Sequence, residues 1–425
     1  MLRFCLILLL LAVVSVTWAQ GSFSPAQWRQ DIDSLQRQLP AVHPNFFATY
    51  PRKNFEEDLQ NLKATLTGKS DFQIGLELQT IVARAGDAQT RLDLTNLMMG
   101  EKVIPFALSV WAGELHVSAT IQQFAQMSGA RILRVNGLSA PEALAKMGRF
   151  VAQENEYTNQ RDALTLFRFP AALRMAGVST TDTLALLVEK KDGQQALVRA
   201  YPLDPSKPPS RADTGPVVIE PLKPDLRWQQ VASFFNLQWL PADSVLYVQY
   251  NYCYSQEMSL AIGDTASAGN YPSFQVFADS LFTFLAKTPQ AKVLIDLRFN
   301  PGGDAADGVA WARRFAALPQ AQRPAQLYVA INLFTQSAAL EVAAALTSVG
   351  GATLIGEPSA TRPNHFAGIR QLSLPNTQLP VLFATQYRAI QIGKSTVLTP
   401  RILIPVTFEH YRNGRDPVLD FVRGK

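Results

Sequence analysis

Apolar residues change their spacing several times along this chain, and each change predicts a different kind of element. After an unbroken apolar run from Phe4 to Val16, a helical period begins. Ser24-Pro25 supplies an N-cap and a first-turn proline. Trp28, Ile32, Leu35 and Leu39 then share one face, with Pro40 and Pro44 closing the helix. Phe55, Leu59, Leu62 and Leu66 predict a second helix, and Ile74, Leu78 and Ile81 a third. Residues 20–100 therefore read as a small helical cap. Over 101–203 the pattern shortens to strand-length runs, Val103 to Leu108, Leu115 to Val117 and Leu184 to Val188. Ser128 to Gly137 reads as a strand closed by an Asn-Gly turn, with a helix from Pro141 to Met147. This stretch is a β-rich domain, either plain or PDZ-like. Prolines crowd 204–224 and predict a stiff linker.

From Ser244 onward strands and helices alternate. Strands are predicted at Val245 to Tyr252, Val293 to Leu297, Leu327 to Ile331 and Thr353 to Ile355. Helices are predicted around Phe274 to Phe284, Val309 to Phe315 and Ser337 to Leu346. Such alternation builds an α/β layer with crossover connections, here assigned to residues 225–425. Beyond Ile369 the texture turns to strands, with Pro375-Asn376 as a hairpin turn.

The first 19 residues have the form of a signal peptide: Arg3, the apolar run, then Thr17-Trp-Ala19 at the cleavage point. The run is short for a membrane span, so the expectation is an exported, periplasmic or secreted protein with no integral membrane segment after cleavage. Cys5 leaves with that peptide and Cys253 remains alone, which precludes an internal disulfide and suits a bacterial envelope. Cys253 lies among tyrosines in an apolar run and is expected to be a packed thiol. A hydrophobic content of 47% against 17% charged residues fits packed domains. The net charge of +5 is scattered, without a basic block, so nucleic acid is not expected as a partner. None of the four histidines pairs at metal-ligand spacing, so neither a metal nor another cofactor is expected.

Chemistry concentrates in Val293-Leu-Ile-Asp-Leu-Arg-Phe-Asn-Pro-Gly-Gly303 and in Ser337. Asp296 and Arg298 interrupt an apolar strand; charges there are costly unless paired, so they are expected to fix the turn that follows. Gly302-Gly303 lets the backbone take positive φ and approach a ligand. Ser337 opens a helix, where free amides and the positive dipole end favour an anion. Two readings of Ser337 stand side by side: a helix-capping serine, or a nucleophile whose oxyanion is held by amides of Gly302, Gly303 and Ala338.

The second half resembles the C-terminal processing, or tail-specific, serine peptidases, a family with tricorn-type and retinoid-binding relatives. The resemblance rests on Ile295 to Gly303, on Ser337-Ala-Ala-Leu with Val342 to Leu346, and on Gly356-Glu-Pro358. It covers residues 244 to 410, with weaker echoes at His43-Pro-Asn-Phe46 and Gly86-Asp-Ala-Gln-Thr90. Gly356 to Asn364, Leu372-Ser-Leu-Pro-Asn376 and Gly414 to Leu419 resemble a Pro-Asn subgroup of envelope proteins in this family. The resemblance implies a ClpP/crotonase-like α/β catalytic domain, within an α+β chain, that acts on peptide or unfolded-protein substrates.

Three positions depart from the family pattern. Arg362 stands where a lysine base is expected, and arginine keeps its proton; it is expected to hold a peptide carboxylate, with Asn364 and Gln89 as further substrate contacts. Gln89 stands in a histidine's place and cannot accept a proton. Leu340 occupies the family glutamate's position, with Glu341 one residue on, about one turn from Ser337. His365 is left as the candidate base, or as a loop histidine bonded to a backbone carbonyl. His43 is expected to pack at a helix end. The function expected is an exported serine peptidase acting through Ser337, His365 and Glu341; the alternatives are a catalytically impaired peptide-binding envelope protein and a binder of small apolar ligands.

Overall fold

The computed structural model describes residues 22–203, 215–219, 221, 223–390 and 395–425. The expected signal peptide and most of the expected 204–224 linker lie outside the described residues. Two compact units are present. One takes the described residues up to Ile219 together with Phe366–Arg388, and the other takes those from 221 to His365 together with Ala389–Lys425.

The first unit opens with helices α1 (Pro25–Val42), α2 (Arg52–Ala64) and α3 (Asp71–Ala83). Ser24 caps α1 in a reciprocal box with Gln27. The helix runs through Pro40, rather than ending there, and stops at His43, which precedes Pro44; one missing amide near a helix end is tolerated where the face below stays packed. Strands β1 (Phe106–Trp111), β2 (Glu114–Ile121), β3 (Arg131–Val135), β4 (Leu184–Glu189) and β5 (Gln195–Ala200) then form an antiparallel sheet in that order. The Asn-Gly turn after β3 holds both residues at positive φ, 50° and 85°.

The division at residue 100 expected from the sequence is not seen, because the helices and the sheet share one hydrophobic core. Trp28, Leu35, Leu78, Val117, Ile132 and Leu186 all belong to it. The segment 366–388 was expected in the α/β domain but folds with the first unit. Its hairpin, Arg370–Ser373 with Pro380–Phe383, extends a sheet through Arg91–Leu92. The Pro-Asn turn is tied to the buried Asp31 of α1: Asn376 N–H and Thr377 N–H donate to its two carboxylate oxygens at 2.8 and 2.9 Å.

The second unit is an α/β layer. Strands β6 (Phe235–Leu240), β7 (Val245–Tyr250), β8 (Lys292–Asp296), β9 (Gln326–Ile331), β10 (Thr353–Gly356) and β11 (Ile402–Leu403) lie side by side in chain order. All neighbours are parallel except the edge strand β6, which is antiparallel to β7. Helices α4 (Phe274–Lys287), α5 (Ala306–Ala317) and α6 (Ala338–Ser348) make the crossovers. Crossovers that all step the same way and share one hand place their helices on one face. The alternating residues Leu246, Val248, Val293, Ile295, Val329 and Ile331 accordingly share a core with Leu281, Trp311, Phe315 and Val342.

The opposite face carries Tyr247 and Asp296 and is covered by α7 (Pro417–Arg423). Here Arg298, fully buried, lies between two carboxylates. Its guanidinium donates to Asp296 at 2.9 and 2.6 Å and to Asp416, the N-cap of α7, at 2.8 and 2.5 Å. Tyr247 adds a hydroxyl bond to Asp296 at 2.7 Å. The expectation that Asp296 and Arg298 are paired is met. Asp416, which lies 118 residues further along the chain, was not legible as their partner.

Burial alone would raise the Asp416 carboxyl, but the bonded Arg298 guanidinium overrides this and holds it well below the usual carboxylate range. A depressed folded value contributes stability above the unfolded carboxylate pKa of about 3.9, and that stability is lost as pH falls through the folded value. Asp416→Ala should therefore cost about 3–5 kcal/mol at pH 7 in denaturant titration, because it leaves a buried guanidinium half paired. The wild-type advantage should shrink as the pH is lowered below about 4. An unchanged midpoint at pH 7 would contradict this role.

Candidate active site

Three loops leave the carboxyl ends of neighbouring parallel strands, where open α/β sheets bind their ligands. The Gly302-Gly303 turn follows β8, Ser337 follows β9, and Glu357-Pro358 follows β10. Ser337 has φ 49° and ψ −123°, a conformation that L-residues seldom adopt. It occupies the N-cap position of α6, yet its side chain makes no capping bond. The helix-capping reading therefore does not hold here. Among the described residues the hydroxyl has no hydrogen-bond partner, and the residue is only partly buried. A strained strand-to-helix turn that presents a serine hydroxyl in this way has the form of a nucleophile elbow.

The strain is held from both sides. On one side, Thr335 Oγ donates to Leu297 O at 3.0 Å and accepts from Asn332 N–H at 3.1 Å, which fixes the turn before Ser337. On the other, Gln336 N–H donates to Asn300 O at 3.0 Å. Asn300 is fully buried; its side-chain amide also donates to Tyr250 O at 2.9 Å and its side-chain oxygen accepts from Gly302 N–H at 2.9 Å. One asparagine thus joins β7, the glycine turn and the serine elbow. Nothing in the spacing of Asn300 marked it for this role, although it lies inside the motif Phe299-Asn-Pro-Gly-Gly303.

Both glycines are needed for shape. A Cβ on Gly302 would lie 2.9 Å from Ser337 Cβ and 3.0 Å from Gln336 O, at φ 108°. On Gly303 it would lie 2.0 Å from Cys253 O, at φ 134°. Their amides differ in use. The Gly302 N–H is committed to Asn300, so the expectation that it holds an oxyanion is corrected: the donor is already occupied. The N–H groups of Gly303 and Ala338 have no acceptor among the described residues. Ala338 is the first residue of α6, at the positive end of the helix dipole.

The other expected residues are placed as follows. His365 is buried, and its Nδ1 lies 3.0 Å from Pro363 O. A carbonyl only accepts, so Nδ1 carries the proton, and in the neutral ring Nε2 carries the lone pair. No hydrogen bond joins His365 to Ser337. Glu341 lies in the first turn of α6, and its charge helps raise the Cys253 thiol; it makes no bond to the Ser337 hydroxyl. Arg362 and Asn364 are partly buried in the loop after β10, where Asn364 Oδ1 accepts from Ile390 N–H at 2.9 Å. Gln89 lies in the first unit, buried, its N–H donating to Asp87 Oδ1 at 2.9 Å. His43 ends α1 as expected. Asn45 N–H donates to its Nδ1 at 3.1 Å, so Nε2–H donates to Asp87 Oδ2 at 3.1 Å and the tautomer is fixed.

Cys253 is buried against the glycine turn, its N–H donating to Gly302 O at 3.0 Å. Burial pushes its thiol up to about 12, so it is neither a nucleophile nor a ready thiolate at neutral pH. Native protein should resist a disulfide reagent at pH 8 and react fully once unfolded; rapid native reaction would contradict this packing. Gly302→Ala should fold with a loss of about 1–3 kcal/mol and displace the Ser337 elbow. Thermal melting and the labelling rate of Ser337 check both effects, and unchanged labelling would sink the close-approach argument.

No protein-family model matches the sequence, and no curated protein matches it. Solved structures do. CPAF complexed with lactacystin is 13% identical and aligns with a TM-score of 0.58 over 94% of this chain and 98% of that one. Mature CPAF, also 13% identical, aligns at 0.56 over 94% and 96%. The photosystem II D1 C-terminal processing protease is 13% identical at a TM-score of 0.36, over 92% and 98%. This chain has an α/β fold, the fold of CPAF, in keeping with the resemblance of its motifs to the C-terminal processing peptidases.

Proposed function

We propose that the protein is a serine-type peptidase acting on peptides or protein C-termini through Ser337. The observation that carries this reading is the conformation of Ser337: positive φ, an uncommitted hydroxyl, and free Gly303 and Ala338 amides beside it. Strain of this kind costs about 1–3 kcal/mol and persists where the surroundings enforce it. A capping serine would need none of it.

The chemistry follows. Ser337 Oγ attacks the peptide carbonyl carbon and loses its proton to a base. The developing oxyanion accepts from the Gly303 and Ala338 amides. Collapse breaks the C–N bond, the leaving amine takes the proton from the base, and water then releases the acyl group. His365 is the proposed base, its Nε2 carrying the lone pair; catalytic contacts are commonly long until substrate binds. Arg362 pairs with a substrate carboxylate, and Asn364 contacts the peptide. Glu341 supports the charge that develops on the base. Export follows from the reading of the first 19 residues.

Serine-directed fluorophosphonate labelling tests the central role. Wild-type protein should label and Ser337→Ala should not. His365→Ala should lower turnover about 100-fold or more, and full activity would remove His365 as the base. Absence of labelling with retained peptide binding would instead favour a peptide-binding protein of the same fold. Amino-terminal sequencing of protein from the envelope should begin at Gln20; a retained Met1 would overturn the export proposal.

A further inference from the structure

The segment that follows β7 lies against the glycine turn. Cys253 bonds to it on both sides, its N–H donating to Gly302 O and its carbonyl accepting from Asp304 N–H at 2.8 Å. While Cys253 is buried, its neighbours Tyr252 and Tyr254 are not: Tyr252 is 36% exposed and Tyr254 partly so. Their rings join a cluster. Phe234 lies 5.2 Å from Tyr252 and 5.7 Å from Tyr271, and Tyr271 lies 5.2 Å from Tyr254. All four rings keep partial solvent exposure. Contiguous exposed apolar surface is a feature of contact sites, whereas singly exposed rings are ordinary, and these four rings are contiguous. This one is tied through one backbone segment to Gly303, whose amide is a proposed oxyanion donor.

We infer that Phe234, Tyr252, Tyr254 and Tyr271 form the subsite that selects an aromatic or large apolar side chain of the peptide held at Ser337. The inference rests on the peptidase reading and adds its specificity. A peptide carbonyl on the Gly303 amide brings its neighbouring side chains within a few residues' reach of Tyr252 and Tyr254. Rings at 5–6 Å spacing offer edge and face contacts to a further ring and little to a methyl group. Specificity of this sort arises from a difference in buried apolar area.

The test is protection of Ser337 from fluorophosphonate by two short peptides that differ only in carrying one phenylalanine or one alanine. The phenylalanine peptide should protect at a roughly ten-fold lower concentration. Tyr252→Ala with Tyr254→Ala should erase the difference, while Tyr252→Phe with Tyr254→Phe, which keeps the rings, should retain it. A thermal melting midpoint close to that of the wild type shows that the doubly substituted protein is folded. Equal protection by both peptides, or a difference that survives removal of the rings, overturns the aromatic subsite and leaves the Ser337 reading intact. Failure of wild-type protein to label at all overturns the Ser337 reading, and this inference with it.

Discussion

The close approach of Gly302 to the Ser337 turn, to its Cβ and to the backbone of Gln336 and Ala338, governs the arrangement of the second unit's working end. No side chain fits between them, since a Cβ on Gly302 would meet Ser337 Cβ at 2.9 Å. With that space closed, the serine is held at φ 49°, and its hydroxyl makes no capping bond to the helix it precedes. Strained conformations survive only when surrounding contacts over-determine them. Here Asn300 and Thr335 supply those contacts, each bonded at two or more points to neighbouring loops.

Behind the turn stands a second constraint. Arg298 is fully buried between Asp296 and Asp416, and so ties the end of β8 to the start of α7. Buried ion pairs add little net stability compared with apolar packing, but they fix geometry because few arrangements satisfy every donor and acceptor. The polar face of the sheet thereby sets where the glycine turn begins, and the apolar face sets where α6 lies. Ser337 is positioned by both.

Much of this was legible in the sequence. The α/β alternation, the strand ending in Pro-Gly-Gly and the serine at a helix start could be read because each has a local physical cause: side-chain period, glycine backbone freedom, helix-end amides. What was not legible depends on distant pairs. Asp416 could not be matched to Arg298 from spacing, and the segment 366–388 carries no local sign that its Pro-Asn turn binds Asp31. The edge strand β6 was missed because its residues are all partly exposed, so its pattern lacks the contrast of a half-buried strand. Gly302 was assigned an oxyanion amide because glycine implies an open backbone; the competing acceptor, Asn300 Oδ1, is only two residues away.

The most direct measurement is a crystal structure of the protein with a peptide boronic acid. The account predicts a covalent bond between boron and Ser337 Oγ, with one boronate oxygen accepting from the Gly303 and Ala338 amides and none from Gly302. A boronate bound elsewhere, or bound at Ser337 with its oxygens facing other donors, would contradict it.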